Sequence, residues 1–328
     1  MIENLAGRTT EAVARLTADR ATGGRPIGIR SLIASSGTER HEYRFGDDAA
    51  IDVRSISKVA LAAAVGVAID RGERLGTVEL SLRTPVLELF ERAPAGLSRP
   101  VGWAGVRVGH LLNGTIGHDE GFLFRRDIGG RDPAGLLDYA IGRPLTHPPG
   151  THFAYSNVGP FVLSVLVQEL TGQRLTEWVA DRVLAPLGMP TPQWRRYGRF
   201  DAGGTGLRLR PRELHALADL FRGGGAFDGQ RVLSTGWLAA MTSPSVRTPG
   251  RTGPGDILPK VGYGYGMWSC GDGRYFCDGT DGQYLIVDPR QDLAVSTLAD
   301  EPDMAALRSC LAPLLRSPPE LPRPGVCR

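Results

Sequence analysis

The residues best suited to chemistry are Ser55 and Lys58, three positions apart at the start of an apolar stretch. Residues at this spacing lie on one face of a helix, so the serine Oγ and the lysine ammonium can meet. A desolvated lysine can remove the serine proton and so activate a weak nucleophile. The chain has 38 Lys and Arg residues, of which only Lys58 and Lys260 are lysine. Because arginine cannot lose its proton in a protein, we expect position 58 to need a removable proton.

A second group, Tyr155-Ser156-Asn157, places a phenol and an amide two residues apart. A phenol beside an ammonium can act as a base, or as an acid towards a leaving group. The Asn157 amide both donates and accepts, which suits a substrate carbonyl or the lysine. The alternative is that Asn157 only caps the helix that follows.

A third group is the glycine-rich stretch CDGTDGQ at residues 277–283. Gly279 and Gly282 beside a strand allow close approach of the backbone. The Thr280 N–H can then join that of Ser55 to hold a developing oxyanion. An ordinary glycine-rich hairpin is the structural alternative.

Further polar residues lie between these groups. His118, Asp119 and Glu120 form a titratable cluster that either contacts substrate or belongs to a solvated loop. His152 precedes Tyr155, and we expect it to pack or to cap. We assign core packing to the aromatic run Tyr263, Tyr265 and Trp268.

Composition excludes several classes of function. The net charge is +3 and the arginines are scattered. The sequence therefore shows no basic face of the kind that binds nucleic acid. The N-terminal residues lack the apolar core of a signal peptide, and the run 59–69 is too short to cross a bilayer. The four cysteines show no zinc spacing, and no metal cluster, phosphate loop or cofactor fingerprint is visible. We therefore expect a cytoplasmic protein with free thiols, without cofactor, metal or membrane association.

The order of elements predicts the architecture. Helical spacing covers residues 8–22 and about 55–71, and strands are predicted in 26–47, with a turn at Ser36-Gly37. Helical segments follow from about 75 to 195, and from 203 onward helices give way to strands, before a last helix at 303–315 and a proline-rich loop. The economical fold is α+β, with an antiparallel sheet built from both ends of the chain and flanked by helices. Residues 1–74 and 200–328 would form this lobe, and residues 75–199 a helical lobe, with the site between them.

The three groups, in this order, resemble the serine β-lactamase and penicillin-binding-protein superfamily, in its class C, family VIII esterase and nylon-oligomer-hydrolase-like branch. The resemblance extends over about residues 27–300 and is most specific in PPGTHFAYSNVGPFVLSVLVQELTGQRLTEWVADRVLAPLGM, within 147–189. It implies the β-lactamase/transpeptidase-like fold.

The resemblance also implies roles for individual residues. Ser55 would be the acylated nucleophile and Lys58 its base, and Tyr155 would protonate the leaving group. The N–H groups of Ser55 and Thr280 would form the oxyanion hole. Substrate binding would also involve Asn157, Gly279, Gln283 of the GTDGQ stretch, and His118 and Asp119 in a cleft wall.

The third motif departs from the family. The matching triplet, Cys277-Asp278-Gly279, lacks the cation that usually binds a β-lactam carboxylate, and Asp278 would disfavour an anion further. We therefore expect an esterase-like or amidase-like enzyme acting on a small ester or amide, not a typical penicillinase. One alternative is an amide-forming transacylase of natural-product biosynthesis, with an amine as acceptor. Another is a binding or sensor protein that becomes acylated without turnover.

Overall fold

The structure is a computed structural model, and it describes residues 4–18, 27–248, 252 and 256–316. The α-helices are α1 (Leu5–Thr17), α2 (Ser57–Asp70), α3 (Val86–Arg92), α4 (Val108–Asn113), α5 (Arg125–Ile128), α6 (Leu136–Ile141), α7 (Val158–Thr171), α8 (Leu175–Val179), α9 (Pro211–Arg222), α10 (Thr235–Thr242) and α11 (Met304–Leu311). Short 3-10 or π segments cover Arg54–Ile56, Pro133–Gly135, Ala180–Leu184, Ala185–Leu187, Pro289–Gln291 and Ala312–Leu315.

The strands fall mainly at the two ends of the chain. They are β1 (Ile29–Ser36), β2 (Glu39–Arg44), β3 (Ile51–Asp52), β4 (Arg74–Leu75), β5 (Val78–Glu79), β6 (Arg196–Tyr197), β7 (Phe200–Asp201), β8 (Arg208–Leu209), β9 (Ala226–Phe227), β10 (Gln230–Arg231), β11 (Val246–Arg247), β12 (Gly262–Tyr263), β13 (Trp268–Ser269), β14 (Tyr275–Gly279), β15 (Gln283–Asp288) and β16 (Leu293–Ala299).

An eight-stranded antiparallel sheet forms the centre of the fold. Its strand order is β11-β12-β13-β14-β15-β16-β1-β2. Strand β1, from the N-terminal region, pairs with β16, so that Ile33 lies opposite Ser296. The predicted α+β fold, with a sheet assembled from both ends of the chain and flanked by helices, is confirmed.

Both faces of this sheet are buried, and β15 shows why. Tyr284 and Ile286 face one apolar cluster, which includes side chains of α1 and α11. Leu285 and Val287 face the other cluster, which includes side chains of α2, α7 and α9. Successive strand residues point to opposite faces, so a continuous apolar strand indicates a sheet covered on both sides.

Helix α1 begins earlier than the spacing predicts. The side chain of Asn4 accepts a hydrogen bond from the Gly7 N–H at 2.9 Å, which makes Asn4 the N-cap. Residues 19–22 of the predicted helix, the proline-rich loop from residue 317 and Cys327 lie outside the described residues. The expectation of free thiols is confirmed for Cys270 and Cys277, which are both buried.

The apolar run at 59–69 is a buried helix, as predicted. Small residues on α2 let neighbours approach closely, above all at Gly66. A Cβ there would lie 2.0 Å from Nε1 of Trp237, whose indole N–H donates to the Ala62 carbonyl at 3.1 Å.

Replacing Gly66 by alanine should therefore destabilise the protein. The added methyl group must push the indole away, which we expect to lower the free energy of unfolding by about 1–3 kcal/mol. Urea denaturation measures this change. Gly135→Ala is the matched control, since a Cβ at Gly135 meets nothing within 4 Å. Equal stability of the two variants would contradict the packing described here.

The helices and 3-10 or π segments from α3 to Ala185–Leu187 all lie between β5 and β6. The division into lobes at residues 74 and 200 stays a prediction. Within the described parts of the chain, no helix has both the length and the apolar character needed to cross a membrane.

Candidate active site

Ser55 lies in the 3-10 turn that precedes α2, and this turn has a strained backbone. Arg54 has a φ of 54°, in the left-handed region that arginine rarely adopts. Its N–H donates to Oδ1 of Asp52 at 2.8 Å, and the same Oδ1 accepts the Gly206 N–H at 3.1 Å. Asp52 therefore ties the serine turn to the segment around residue 206.

Lys58 is buried, with only 5% of its surface exposed. Its Nζ donates to three acceptors: Oδ1 of Asn157 at 2.6 Å, the Gly204 carbonyl at 2.8 Å and Oγ of Ser55 at 3.2 Å. Burial lowers the pKa of the Lys58 ammonium to about 7, and the attraction of Asp278 opposes this shift. A substantial fraction of Lys58 is therefore neutral at pH 7.

The three partners determine where the lone pair of a neutral Lys58 points. The amide Oδ1 of Asn157 and the Gly204 carbonyl can only accept hydrogen bonds, so they retain the two N–H groups of the amine. The lone pair is then left facing the Ser55 hydroxyl. A neutral Lys58 in this position can take the serine proton.

Asn157 holds Lys58 in place. It occupies the N-cap position of α7, but its side chain makes no capping hydrogen bond. Instead its Nδ2 donates to the Leu123 carbonyl at 2.8 Å, which orients Oδ1 towards Lys58. The alternative of a capping side chain at Asn157 is therefore wrong.

Gly204 is a part of the site that the motifs did not reveal. A Cβ at this position would lie 2.9 Å from Oδ1 of Asn157, so glycine permits the close approach of its carbonyl to Lys58. The stretch GGTG at 203–206 is the only signal in the sequence, and it lies far from both motifs.

Tyr155 lies beside the lysine, half-buried against an aromatic wall. Its ring centroid is 4.9 Å from Lys58 Nζ. The ring stacks on Trp268 at 5.4 Å and meets Tyr263 edge-on at 5.7 Å. Tyr263 and Trp268 are buried as predicted, and they also fix the orientation of the phenol. Tyr265 packs elsewhere, stacked on Trp237.

The end of β14 packs directly against the serine turn. A Cβ at Gly279 would lie 2.6 Å from the Val53 carbonyl, so glycine is required for this contact. Ser55 and Thr280 line the same cavity.

Gln283 does not line this cavity. Its side chain is 1% exposed, and its Nε2 donates to the Ala299 carbonyl at 2.6 Å while its Oε1 accepts the Ala299 N–H at 3.2 Å. The predicted substrate contact is therefore wrong for Gln283, whose amide joins β15 to β16. The glycine-rich stretch predicts the turn but not the direction of this side chain.

The predicted cluster at 118–120 divides into buried and exposed parts. His118 is 1% exposed and packs edge-on against Trp103 and Phe122, so the predicted substrate contact is wrong for it. Burial lowers the pKa of His118 to about 4. Asp119 and Glu120 are exposed and line a second cavity, of about 360 Å³, together with Tyr155.

A cation, Lys260, lies beside the third motif in the structure, although it is not part of the motif in the sequence. Nζ of Lys260 lies 2.7 Å from Oδ2 of Asp278, and the Trp268 indole N–H donates to Oδ1 at 3.0 Å. Asp278 is thus neutralised by an ion pair, which removes the anion repulsion that we expected from this carboxylate. Lys260 comes from the segment before β12, so its spacing from the motif carries no signal.

Cys277 is a buried core residue, and burial raises the pKa of its thiol well above the ordinary value. We expect Cys277→Ala to change kcat/KM by less than about twofold, since a neutral buried thiol takes no part in acyl transfer. An esterase assay of wild type and variant checks this. A large loss with folding intact, shown by an unchanged circular dichroism spectrum, would mean that the third motif has another role.

The cavity beside Ser55 has a volume of about 330 Å³. It is lined by Arg54, Ser55, Leu123, Phe124, Arg125, Arg126, Ile128, Asn157, Arg195, Tyr197, Thr205, Thr280 and Asp281. Non-glycine residues with positive φ are concentrated here, with values of 54° at Arg54, 64° at Leu123 and 68° at Asp281. Such strain costs about 1–3 kcal/mol per residue and is common at functional sites.

Arginine dominates the charge of the cavity wall. Arg54 and Arg125 both contact Oδ2 of Asp281, at 2.9 and 3.3 Å, and Arg195 contacts Asp52 at 3.1 Å. The cavity lining thus contains four arginines and one carboxylate, that of Asp281. Sequence reasoning missed these residues, because arginine is spread along the whole chain.

The comparison with protein families agrees with this geometry. A family model described as Beta-lactamase matches residues 21–310, which is most of the chain. The chain belongs to the beta-lactamase family. Members of this family are mostly serine hydrolases and acyltransferases. The predicted resemblance to the β-lactamase superfamily is confirmed.

Two curated relatives in the beta-lactamase family match part of the chain. The 6-aminohexanoate-dimer hydrolase of Paenarthrobacter ureafaciens is 28% identical over 195 residues, which are 57% of this chain and 48% of that enzyme. Penicillin-binding protein 4 of Amycolatopsis lactamdurans is 30% identical over 143 residues, or 43% of this chain and 35% of that protein. The matched region therefore spans less than half of either relative.

Solved structures of the beta-lactamase family share the fold. A mutant of simvastatin synthase from Aspergillus terreus superimposes with a TM-score of 0.67 and 16% identity, over 94% of this chain and 96% of that one. At this identity the likeness concerns the fold alone.

Proposed function

We propose that this protein is a serine hydrolase or acyltransferase that forms an acyl-Ser55 intermediate from an ester or amide. The observation that carries the proposal is the environment of Lys58. The pKa of the Lys58 ammonium is about 7. Two acceptors hold its Nζ so that the third hydrogen-bonding position of this atom faces Ser55 Oγ at 3.2 Å. Burial lowers the pKa of any lysine, and here the contact of Nζ with the serine hydroxyl gives the neutral amine a proton to accept.

In the acylation step, neutral Lys58 takes the Ser55 proton as Oγ attacks the substrate carbonyl. The negative charge that develops on the carbonyl oxygen is held by the N–H groups of Ser55 and Thr280. Tyr155 donates a proton to the leaving group as the bond to the acyl carbon breaks, and Lys58 returns its proton to the phenolate. An alcohol or amine departs, and the acyl group stays on Ser55.

In the second step, an acceptor attacks the acyl-Ser55 ester. Tyr155 or Lys58 removes a proton from the acceptor, and Ser55 recovers its hydroxyl proton as it leaves. Water as acceptor gives a hydrolase, and a bound amine gives a transacylase. The same residues serve both outcomes.

We propose small esters or amides, rather than penicillins, as substrates. The triplet 277–279 has no cation of its own, and Lys260 is already paired with Asp278. Lys260 therefore has less charge to offer a β-lactam carboxylate. Leu123, Phe124 and Ile128 give the cavity beside Ser55 an apolar wall that suits an acyl chain.

An amide-forming transacylase is the second candidate, and the second cavity favours it. Tyr155 lines this cavity, and Phe124 and Arg126 line both cavities. An acyl donor beside Ser55 thus leaves separate space next to Tyr155 for an acceptor. Asp119 and Glu120 in its wall suit an acceptor that carries positive charge.

Release of nitrophenolate from short-chain p-nitrophenyl esters tests the proposal. We expect multiple turnovers by the wild type and none by Ser55→Ala. With an added primary amine, mass spectrometry of the products separates hydrolysis from amide formation. Release that stops at one equivalent would instead indicate an acylatable sensor. Equal release by wild type and Ser55→Ala would contradict the proposal.

The pH dependence should follow the ionisation of Lys58. Only the neutral amine accepts the Ser55 proton, so kcat/KM should rise about tenfold per pH unit below pH 7 and level off above it. Stopped assays from pH 5 to 9, corrected for spontaneous ester hydrolysis, measure the profile. A profile that is flat, or that rises only above pH 9, would exclude a lysine with a pKa of about 7 as the base.

A further inference from the structure

Three side chains outside the catalytic group converge on one surface point. Asp119, His147 and His152 each offer a ligand atom, and these atoms lie within 4.8 Å of one another. Nε2 of His147 is 3.2 Å from Oδ1 of Asp119. The two imidazole rings are stacked, with centroids 4.0 Å apart and planes inclined by 15°.

We propose that Asp119, His147 and His152 form a binding site for a divalent transition metal of the zinc class. Two imidazoles and one carboxylate are a donor set that zinc and its neighbours prefer, whereas calcium and magnesium favour oxygen ligands alone. None of the three residues moves a proton in the proposed acyl transfer, and a metal site would extend the protein's function beyond that reaction.

The spacing of the donors fits a tetrahedral ion after small side-chain rotations. Metal–ligand distances of about 2.0–2.1 Å place tetrahedral donors about 3.3 Å apart. The pair formed by His147 and Asp119 already has this separation. The stacked rings must tilt towards each other, which their partial exposure permits, and the Asp119 carboxylate is 77% exposed and free to turn.

The backbone beneath the site is already fixed. The N–H groups of Thr146 and His147 both donate to the Gly117 carbonyl, at 2.9 and 3.0 Å. Gly117 has a φ of 116°, and a Cβ there would lie 2.3 Å from the His147 carbonyl. The Gly150 N–H donates to the Thr115 carbonyl at 2.8 Å. The two segments that carry the ligands are therefore held together before a metal arrives, which lowers the ordering cost of binding.

Sequence reasoning predicts no metal site because the ligands come from separate segments. His147 lies 28 positions after Asp119, and no motif joins them. His152 was expected to pack or cap, and its Nε2 lies 3.2 Å from the Asp119 carbonyl oxygen. Only the folded chain brings the three residues together.

The position of the site links it to the second cavity. Asp119 lines that cavity with Tyr155, and His152 precedes Tyr155 by three residues in the same segment. A bound ion would clamp residues 117–121 to residues 147–155. Three protein ligands leave at least one coordination position for water or another small ligand at the cavity rim.

Calorimetric titration of Zn²⁺ into tag-free, chelator-treated protein tests the proposal. We expect saturable 1:1 binding with a Kd in the micromolar range or below, and a rise in Tm with added Zn²⁺. Co²⁺ should give the intense visible absorption of a four-coordinate site, and excess Mg²⁺ should not compete. Absence of saturable Zn²⁺ binding by folded wild type would overturn the proposal.

Variants locate the site. Asp119→Asn should weaken Zn²⁺ binding at least about tenfold, and His147→Ala and His152→Ala should do the same. His41→Ala on β2 is the matched control, and it should bind Zn²⁺ as tightly as wild type. Circular dichroism confirms that each variant is folded. Undiminished 1:1 binding by a folded His147→Ala/His152→Ala double variant would show that the ion binds elsewhere.

Discussion

Replacing Lys58 by arginine is expected to abolish activity almost as completely as replacing Ser55 by alanine. We expect a loss in kcat/KM of at least about 10³-fold for both variants. Arginine preserves the positive charge and can donate to Asn157 and Gly204, but it has no removable proton. The lost function is thus the lone pair that faces Ser55, and steady-state assays on a p-nitrophenyl ester measure it.

Lys260→Arg is the matched control, since Lys260 is the other lysine of the chain. Its partner Asp278 lies 2.7 Å from Nζ, and an arginine can form the same ion pair. We expect this variant to retain activity within a few-fold of wild type. A folded Lys58→Arg enzyme with a near-normal rate would falsify the assignment of Lys58 as the base.

The second large effect is expected from Tyr155→Phe. Removing the phenol should lower kcat by about 10²–10³-fold on an alkyl ester or an anilide, whose leaving groups need a proton. A p-nitrophenyl ester releases a weakly basic leaving group, so the loss in its acylation rate should be smaller. The ratio of the two losses, measured by pre-steady-state and steady-state kinetics, reports the role of Tyr155 as an acid.

Tyr265→Phe controls for the loss of a tyrosine hydroxyl outside the site. Tyr265 stacks on Trp237 at 5.6 Å and does not line either cavity, so its variant should behave as wild type. Equal losses of Tyr155→Phe on both classes of substrate would argue against proton donation to the leaving group. They would assign the phenol to the deacylation step or to the positioning of Lys58.

The fold could be predicted well because its signals are local. The apolar run at 59–69 predicts a buried helix whatever it packs against, and apolar runs on both sides of a glycine-rich turn predict the hairpin of β14 and β15. The spacing of Ser55 and Lys58 likewise predicts their contact, because three residues of helical or 3-10 backbone bring the two side chains together.

Contacts between distant segments could not be predicted in this way. The Gly204 carbonyl accepts a hydrogen bond from Lys58, which is 146 positions away in the sequence. Lys260, in the segment before β12, donates to Asp278 of β14. A motif predicted that Gln283 contacts substrate, but its side chain instead donates a hydrogen bond to the Ala299 carbonyl of β16. The spacing of a motif shows which residues are near each other in sequence. The burial and the orientation of a side chain depend instead on the segments that pack around it in the fold.

The most direct test of the account is intact-protein mass spectrometry of the wild type and Ser55→Ala. Each protein is mixed with a short-chain p-nitrophenyl ester, quenched within seconds and weighed, and the modified peptide is mapped. The account predicts a wild-type adduct with the mass of one acyl group, located on Ser55 and lost as the ester is consumed. Turnover of the ester without an adduct, or an adduct that persists in Ser55→Ala, would contradict an acyl-Ser55 mechanism.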